Sequence, residues 1–177
     1  GAVLGANGSG KSTLLQIIAA NLSVSEGGVV YENGNVISSD EIFRFLSFAS
    51  PYLEFPEEYT FAEAVLFHSK FKSFRNNIPI EKIISISGLE NSKDKQLKNF
   101  SSGMKQRVRL ALSILSDTPL LLLDEPCSNL DNQGIDWYRN LISENASGRL
   151  IIVCSNHRLH EYDFCKTQLN VMNFKSE

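Results

Sequence analysis

The sequence has no long apolar run. Its longest strongly apolar stretch, Leu120 to Leu123, stops at Asp124, far short of the roughly 20 residues a membrane-spanning helix needs. No basic segment followed by an apolar one stands near Gly1, so no signal peptide is expected. Cysteine is scarce and odd in number. Cys127, Cys154 and Cys165 are scattered and form neither a CxxC pair nor a disulfide framework, which fits a reducing cytosol. Cys154 sits in an apolar run and reads as a small buried hydrophobe. Positive charge is not in excess: 17 Lys and Arg face 20 Asp and Glu, a net charge of -3. That argues against a binder driven by neutralising a phosphate backbone. Internal repeats and low-complexity stretches are lacking too. What remains is an ordinary globular composition, 42% hydrophobic and 21% charged over 177 residues. Such a chain suits one domain, with room for a subdomain, and can bury roughly 70% of its unfolded surface.

Along the chain, "AVLG" reads as a buried strand tip, and Ser12 to Leu22 carries helical periodicity. Two short strands are predicted around Asn33-Gly34, a hairpin turn pair. Ile42 to Ala49 reads as a further strand. Thr60 to Glu63 forms a capping box that opens a helix to about Lys72. Pro79 starts another, ending near Gly88, and Ser101 to Leu115 is a third. "PLLLLDEP" is a continuous apolar strand of the kind buried on both faces. Asn132 to Asn145 is helical, "RLIIVCSNH" is a second buried strand, and "QLNVMNF" closes as a strand. "ENSKDKQLKN" reads as a solvated connector. The order predicts an α/β fold with a mostly parallel sheet and an inserted helical subdomain. Residues 1–50 and 116–177 form the core, and residues 51–115 the insertion.

Two motifs carry chemistry. Gly5 to Ser12, "GANGSGKS", fits G-x-x-x-x-G-K-[ST] without a mismatch. Glycines let the backbone turn its N–H groups inward as an anion nest, and the next helix aims its positive end at the same place. Lys11 reaches the terminal phosphates of a nucleotide, and the Ser12 hydroxyl is a hard oxygen ligand for Mg²⁺. Asn7, Gly8, Ser9, Gly10 and Thr13 complete the binding loop. At the other end of the chain, Asp124 and Glu125 close a buried strand, where two adjacent acids would be costly as core residues. Asp124 is the candidate Mg²⁺ holder and Glu125 the candidate general base.

Taken together, these residues resemble the nucleotide-binding domain of ABC ATPases, a branch of the P-loop NTPases. "GANGSGKSTLL" resembles that family's Walker A, and "LLLLDEP" its Walker B with the catalytic glutamate. "FSSGMKQRVRLALSIL" is similar to the signature segment, "SNLD" (Ser128 to Asp131) to the D-loop, and "CSNH" to the strand end carrying the switch histidine, His157. Five motifs occur in the family's order over nearly the whole chain. The resemblance implies an Mg²⁺-dependent ATPase in which two such domains meet head to tail. Each ATP would lie between Walker A of one domain and the signature of the other. Ser101 and Gly103 would approach the partner's γ-phosphate, and His157 would help orient water. It also implies a permease subunit as partner and a place at the inner face of the cell membrane, with no nucleic acid expected.

Three departures accompany the resemblance. The family's Q-loop glutamine should fall near Ala49 to Pro51, yet no Gln lies between Gln16 and Gln96; Ser50 or Glu54 is the candidate replacement. Ser102 stands where the signature has glycine. The family's strands before Walker A, with their adenine-stacking aromatic residue, have no counterpart ahead of Gly1, so the sequence reads as trimmed there. The leading expectation is the ATPase subunit of a transporter. The alternatives are a soluble ABC-type ATPase acting on nucleic acid or ribosomes, and a nucleotide-binding module without turnover. Glu125 and His157 argue against the last.

Overall fold

The computed structural model describes residues 1–174. Two compact units emerge. The first takes residues 1–48, 118–125 and 148–174, and the second residues 49–117 and 126–147.

The sheet begins with β1 (Ala2–Leu4), followed by α1 (Lys11–Ile18) and a hairpin of β2 (Tyr31–Asn33) and β3 (Asn35–Ile37). The hairpin closes at Gly34, whose φ of +76° suits glycine. Then come β4 (Leu46–Ala49), α2 (Phe61–Ser69), α3 (Ile80–Ile86), α4 (Ser102–Leu115), β5 (Leu120–Asp124), α5 (Asn132–Asn145), β6 (Leu150–Ser155) and β7 (Gln168–Asn170). Strand order is β4-β5-β6-β1-β7, and β1 runs parallel to β6 and β7, as does β5 to β6. The α/β class and mostly parallel sheet are as the sequence predicts. A buried cluster of Val3, Leu15, Ala19, Ile42, Leu46, Leu122 and Cys154 fixes α1 to the sheet.

Several boundaries differ from those read in the sequence. α1 ends at Ile18, not Leu22, because Ala20 turns left-handed at φ +57° and breaks the ladder. Ile42 to Arg44 is a 3₁₀ turn, and only Leu46–Ala49 joins the sheet. α2 stops at Ser69 rather than Lys72. The closing strand gives way to a 3₁₀ turn at Val171.

In the second unit, α2 opens on the expected capping box. Thr60 Oγ1 accepts from the Glu63 N–H at 3.2 Å, and the Glu63 carboxylate accepts from the Thr60 N–H at 2.8 Å. α5 groups with this unit, whereas the sequence-based division counts it with the core. Its buried face of Tyr138, Leu141 and Ile142 belongs to a helix packed against α4.

Candidate functional site

Parallel strands end together, so the loops after β1, β5 and β6 issue from one sheet edge. Register makes this concrete: Leu4 lies beside Ser155, and Asp124 beside Cys154.

After Leu4 the chain turns through residues 5–10 into α1. Gly8 and Gly10 hold φ of +74° and +99°, a left-handed backbone that glycine adopts without strain. A Cβ on either would meet nothing within 4 Å, so the space over the loop is open. Gly5 has the opposite reason to be glycine. A Cβ there would come within 2.5 Å of Ser9 Oγ and 2.7 Å of Val171 Cγ2. Lys11 is only 4% exposed. Its Nζ donates to the Gly5 and Ala6 carbonyls at 2.8 and 3.0 Å. The ammonium is thus folded onto the loop, beside first-turn N–H groups of α1 that have no acceptor within the helix. Ser9 Oγ is buried without a hydrogen-bond partner. Ser12 is half-buried, and Asn7 and Thr13 are exposed. An open cradle, a held cation and an unsatisfied hydroxyl fit a polyphosphate.

At the end of β5, Asp124 is 1% exposed. Glu125 follows, half-buried, with its N–H on the Cys154 carbonyl at 2.9 Å and a φ of +42°. Backbone of that kind in a non-glycine residue costs energy and clusters at functional positions. Cys154 marks the convergence. Its Sγ donates to the Lys11 carbonyl at 3.5 Å. Its thiol pKa is pushed up by burial first, then by the Asp124 charge, with Lys11 opposing and Glu125 adding. The thiol is therefore inert, and Lys11, Asp124 and Glu125 share one neighbour. Ser12 and Asp124 supply hydroxyl and carboxylate oxygens, a donor set suited to Mg²⁺.

His157 follows β6, exposed, at φ +56°. Its loop is pinned from both sides by Ser155. The Ser155 hydroxyl donates to Glu161 Oε2 at 2.5 Å and accepts from the Arg158 N–H at 3.1 Å. Both Ser155 and Glu161 are fully buried.

The signature residues belong to the second unit. Ser101 caps α4 (φ -64°, ψ 162°), its Oγ accepting from the Met104 N–H at 3.2 Å, and both Ser101 and Ser102 are exposed. A Cβ on Gly103 would fall 2.8 Å from the Asn129 carbonyl oxygen. α4's first turn therefore lies directly on the loop before α5, a loop that Asp131 closes by accepting from the Gly134 N–H at 2.8 Å. Gln106, fully buried, donates through Nε2 to the Pro126 carbonyl at 2.9 Å. Ser50 and Glu54 also lie in this unit. Ser50 is buried, with its Oγ accepting from the Tyr52 N–H at 3.4 Å, and Glu54 is exposed.

Sequence reasoning did not find Glu161, Gln106 or Arg109. Glu161's one signal is its place four residues after His157. The partners of Gln106 and Arg109 are 20 and 56 residues away, beyond any local pattern.

Known proteins resemble this chain over most of its length. The family model for ABC transporters matches residues 1–128. The lantibiotic transport ATP-binding protein SrtF of Streptococcus pyogenes is 30% identical over 92% of this chain and 69% of its own length. The bacitracin transport ATP-binding protein BcrA of Bacillus licheniformis is 32% identical over 90% of this chain, which spans about half (53%) of that relative. Among solved structures, a putative ABC transporter ATP-binding protein from Pyrococcus furiosus superposes with a TM-score of 0.78 at 21% identity, covering 99% of this chain and 86% of its own. With an intact phosphate loop, paired acids at the next strand end and this match over most of its length, the chain belongs to the ABC transporter family, as one of its ATP-binding domains.

Proposed function

We propose that this chain binds and hydrolyses MgATP in a head-to-tail pair of such domains and thereby powers a membrane permease. The observation that carries the reading is the convergence of Lys11, Asp124, Glu125 and the His157 loop at one sheet edge. Bound ATP supplies the γ-phosphoryl group that water attacks, and Mg²⁺ shields its charge. Lys11 and the N–H groups from Gly8 to Thr13 bind the phosphates, with Asn7 and Ser9 shaping the loop. Ser12 and Asp124 would hold Mg²⁺. Glu125 takes the proton from the attacking water, and His157 orients it. Ser101 and Gly103 present a hydroxyl and N–H groups to the nucleotide of the partner domain. The names of SrtF and BcrA support a transport role. No helix among the described residues is long and apolar enough to cross a membrane; the reading places the domain at the cytoplasmic face of a permease.

The permease would dock on the second unit. None of Pro51, Tyr52, Leu53, Phe55, Pro56 and Tyr59 is buried, and Tyr52 is 76% exposed. Phe55, Tyr59, Phe67 and Phe71 line a neighbouring groove of about 200 Å³. Apolar exposure of this kind marks interaction surfaces.

Lys11→Ala tests the nucleotide site. MgATP at 100 times its Kd should stabilise the parent by about 2.7 kcal/mol and raise its melting temperature by roughly 5–10 °C. The variant should fold, show no such rise and release no phosphate. Hydrolysis at the parent rate would refute the assignment.

A further inference from the structure

The segment where a Q-loop glutamine was expected is fastened to α4 by side chains of α4 itself. Lys105 Nζ meets Glu57 Oε1 at 2.6 Å. Arg109 Nε donates to the Leu53 carbonyl at 2.9 Å, and its guanidinium carbon lies 5.1 Å from the centre of the Phe55 ring. Glu54, Phe55, Glu57, Lys105 and Arg109 enclose a cleft of about 260 Å³. The Arg109 contact is partly buried, so water screens it less than the more open Lys105 pair. Spacing gives these contacts a direction. Ser101, Lys105 and Arg109 are four residues apart, so they lie along one stripe of α4. At 1.5 Å per residue the stripe runs about 12 Å from the signature serine to Arg109. A helix is stiff over that length, so a pull at one end is felt at the other.

We propose that Arg109 is a positioning residue that ties residues 50–58 to the signature helix, so that the docking segment and the signature serine move together. The proposal rests on the docking reading above only for what the motion serves; the tie itself needs no permease. Arginine suits the task because its flat guanidinium stacks on Phe55 while Nε–H stays free to donate. It keeps a proline-containing connector that lacks the glutamine in register with this chain's own signature segment.

Hydrogen exchange on the folded protein tests it, comparing the parent with Arg109→Met, which keeps bulk, and Arg109→Lys, which keeps charge. Loss of a charged hydrogen bond and a cation–π contact should speed exchange in residues 50–58 by about tenfold or more in Arg109→Met, with Arg109→Lys in between. Saturating MgATP should slow exchange in residues 101–105 and 50–58 of the parent together. In Arg109→Met it should slow residues 101–105 alone. If residues 50–58 still respond as in the parent, the tie is only packing and the proposal fails. If Arg109→Met melts early, Phe55→Leu, which removes only the stacked ring, gives the same comparison. Crosslinking of a Tyr52→Cys variant to the permease addresses the docking reading separately: no crosslink there with intact nucleotide coupling overturns docking and leaves the tie standing.

Discussion

At the residue scale, the site rests on a few side chains held in unusual backbone. Glu125 and His157 both have φ between +40° and +60°, and each is fixed by a neighbour: Glu125 by the Cys154 carbonyl, and the His157 loop by Ser155 and Glu161. Fixed geometry of this kind lets a carboxylate face one direction before substrate arrives. Ser102 is the contrasting case. A side chain at a left-handed position would be strained, but Ser101 caps α4 and Ser102 begins it with negative φ. Serine keeps its N–H there and costs little. Ser102→Gly in the intact transporter should therefore change ATPase rate by less than about tenfold, equivalent to about 1.4 kcal/mol in barrier. A rise of a hundredfold on restoring glycine, measured as steady-state phosphate release, would show a crippled signature.

Between α2 and α4, one half-buried histidine is expected to set a pH dependence. The Ser116 hydroxyl donates its single proton to the Leu112 carbonyl at 2.6 Å. The 2.8 Å contact from His68 Nε2 to Ser116 Oγ must then be a donation by the imidazole. The ring stacks on Phe74, with centroids 5.6 Å apart. Burial first, then the Lys72 ammonium, lowers the His68 pKa from 6.5 to about 4. As pH falls below 6.5 the unfolded chain takes up the proton and the folded one does not. Stability is thus complete above pH 6.5 and declines between 6.5 and about 4, by roughly 3 kcal/mol over that span. His68→Gln keeps an amide donor without the titration. Urea unfolding at pH 7 and pH 4 should show the parent losing roughly 3 kcal/mol more than the variant; parallel losses would mean that His68 is not the titrating group.

For the whole molecule, the proposed head-to-tail pairing implies a cycle of association. The nucleotide loop, Asp124, Glu125 and His157 occupy the first unit, and the exposed Ser101 belongs to the second. Each domain in a head-to-tail pair would then offer one half-site from each unit. Glu125→Gln keeps shape and hydrogen bonding but cannot take a proton from water. It should bind MgATP, hydrolyse it about 10²–10⁴-fold more slowly and accumulate as a dimer on size-exclusion chromatography with MgATP. Normal turnover would remove Glu125 from its role, and a slow variant that stays monomeric at saturating MgATP would overturn the head-to-tail pairing.

By itself the sequence determined what short-range physics controls. The glycines of the phosphate loop, the Thr60 and Ser101 caps, the 14-residue periodicities of α4 and α5, and the apolar runs of β5 and β6 are all read within a few residues of each other. The Asp124 and Glu125 pair was legible for the same reason: acids at the end of a buried strand stand out locally. Only the tertiary structure decided the rest. That α5 groups with the second unit, and that Gln106 and Arg109 reach Pro126 and Leu53, depend on partners distant in the chain, while the end of α1 at Ala20 and the Ser155–Glu161 bond are local choices that propensity alone leaves open. Packing and hydrogen bonds between separated segments choose among conformations that local propensity leaves nearly equal in energy, so no reading of neighbours could have fixed those distant partners.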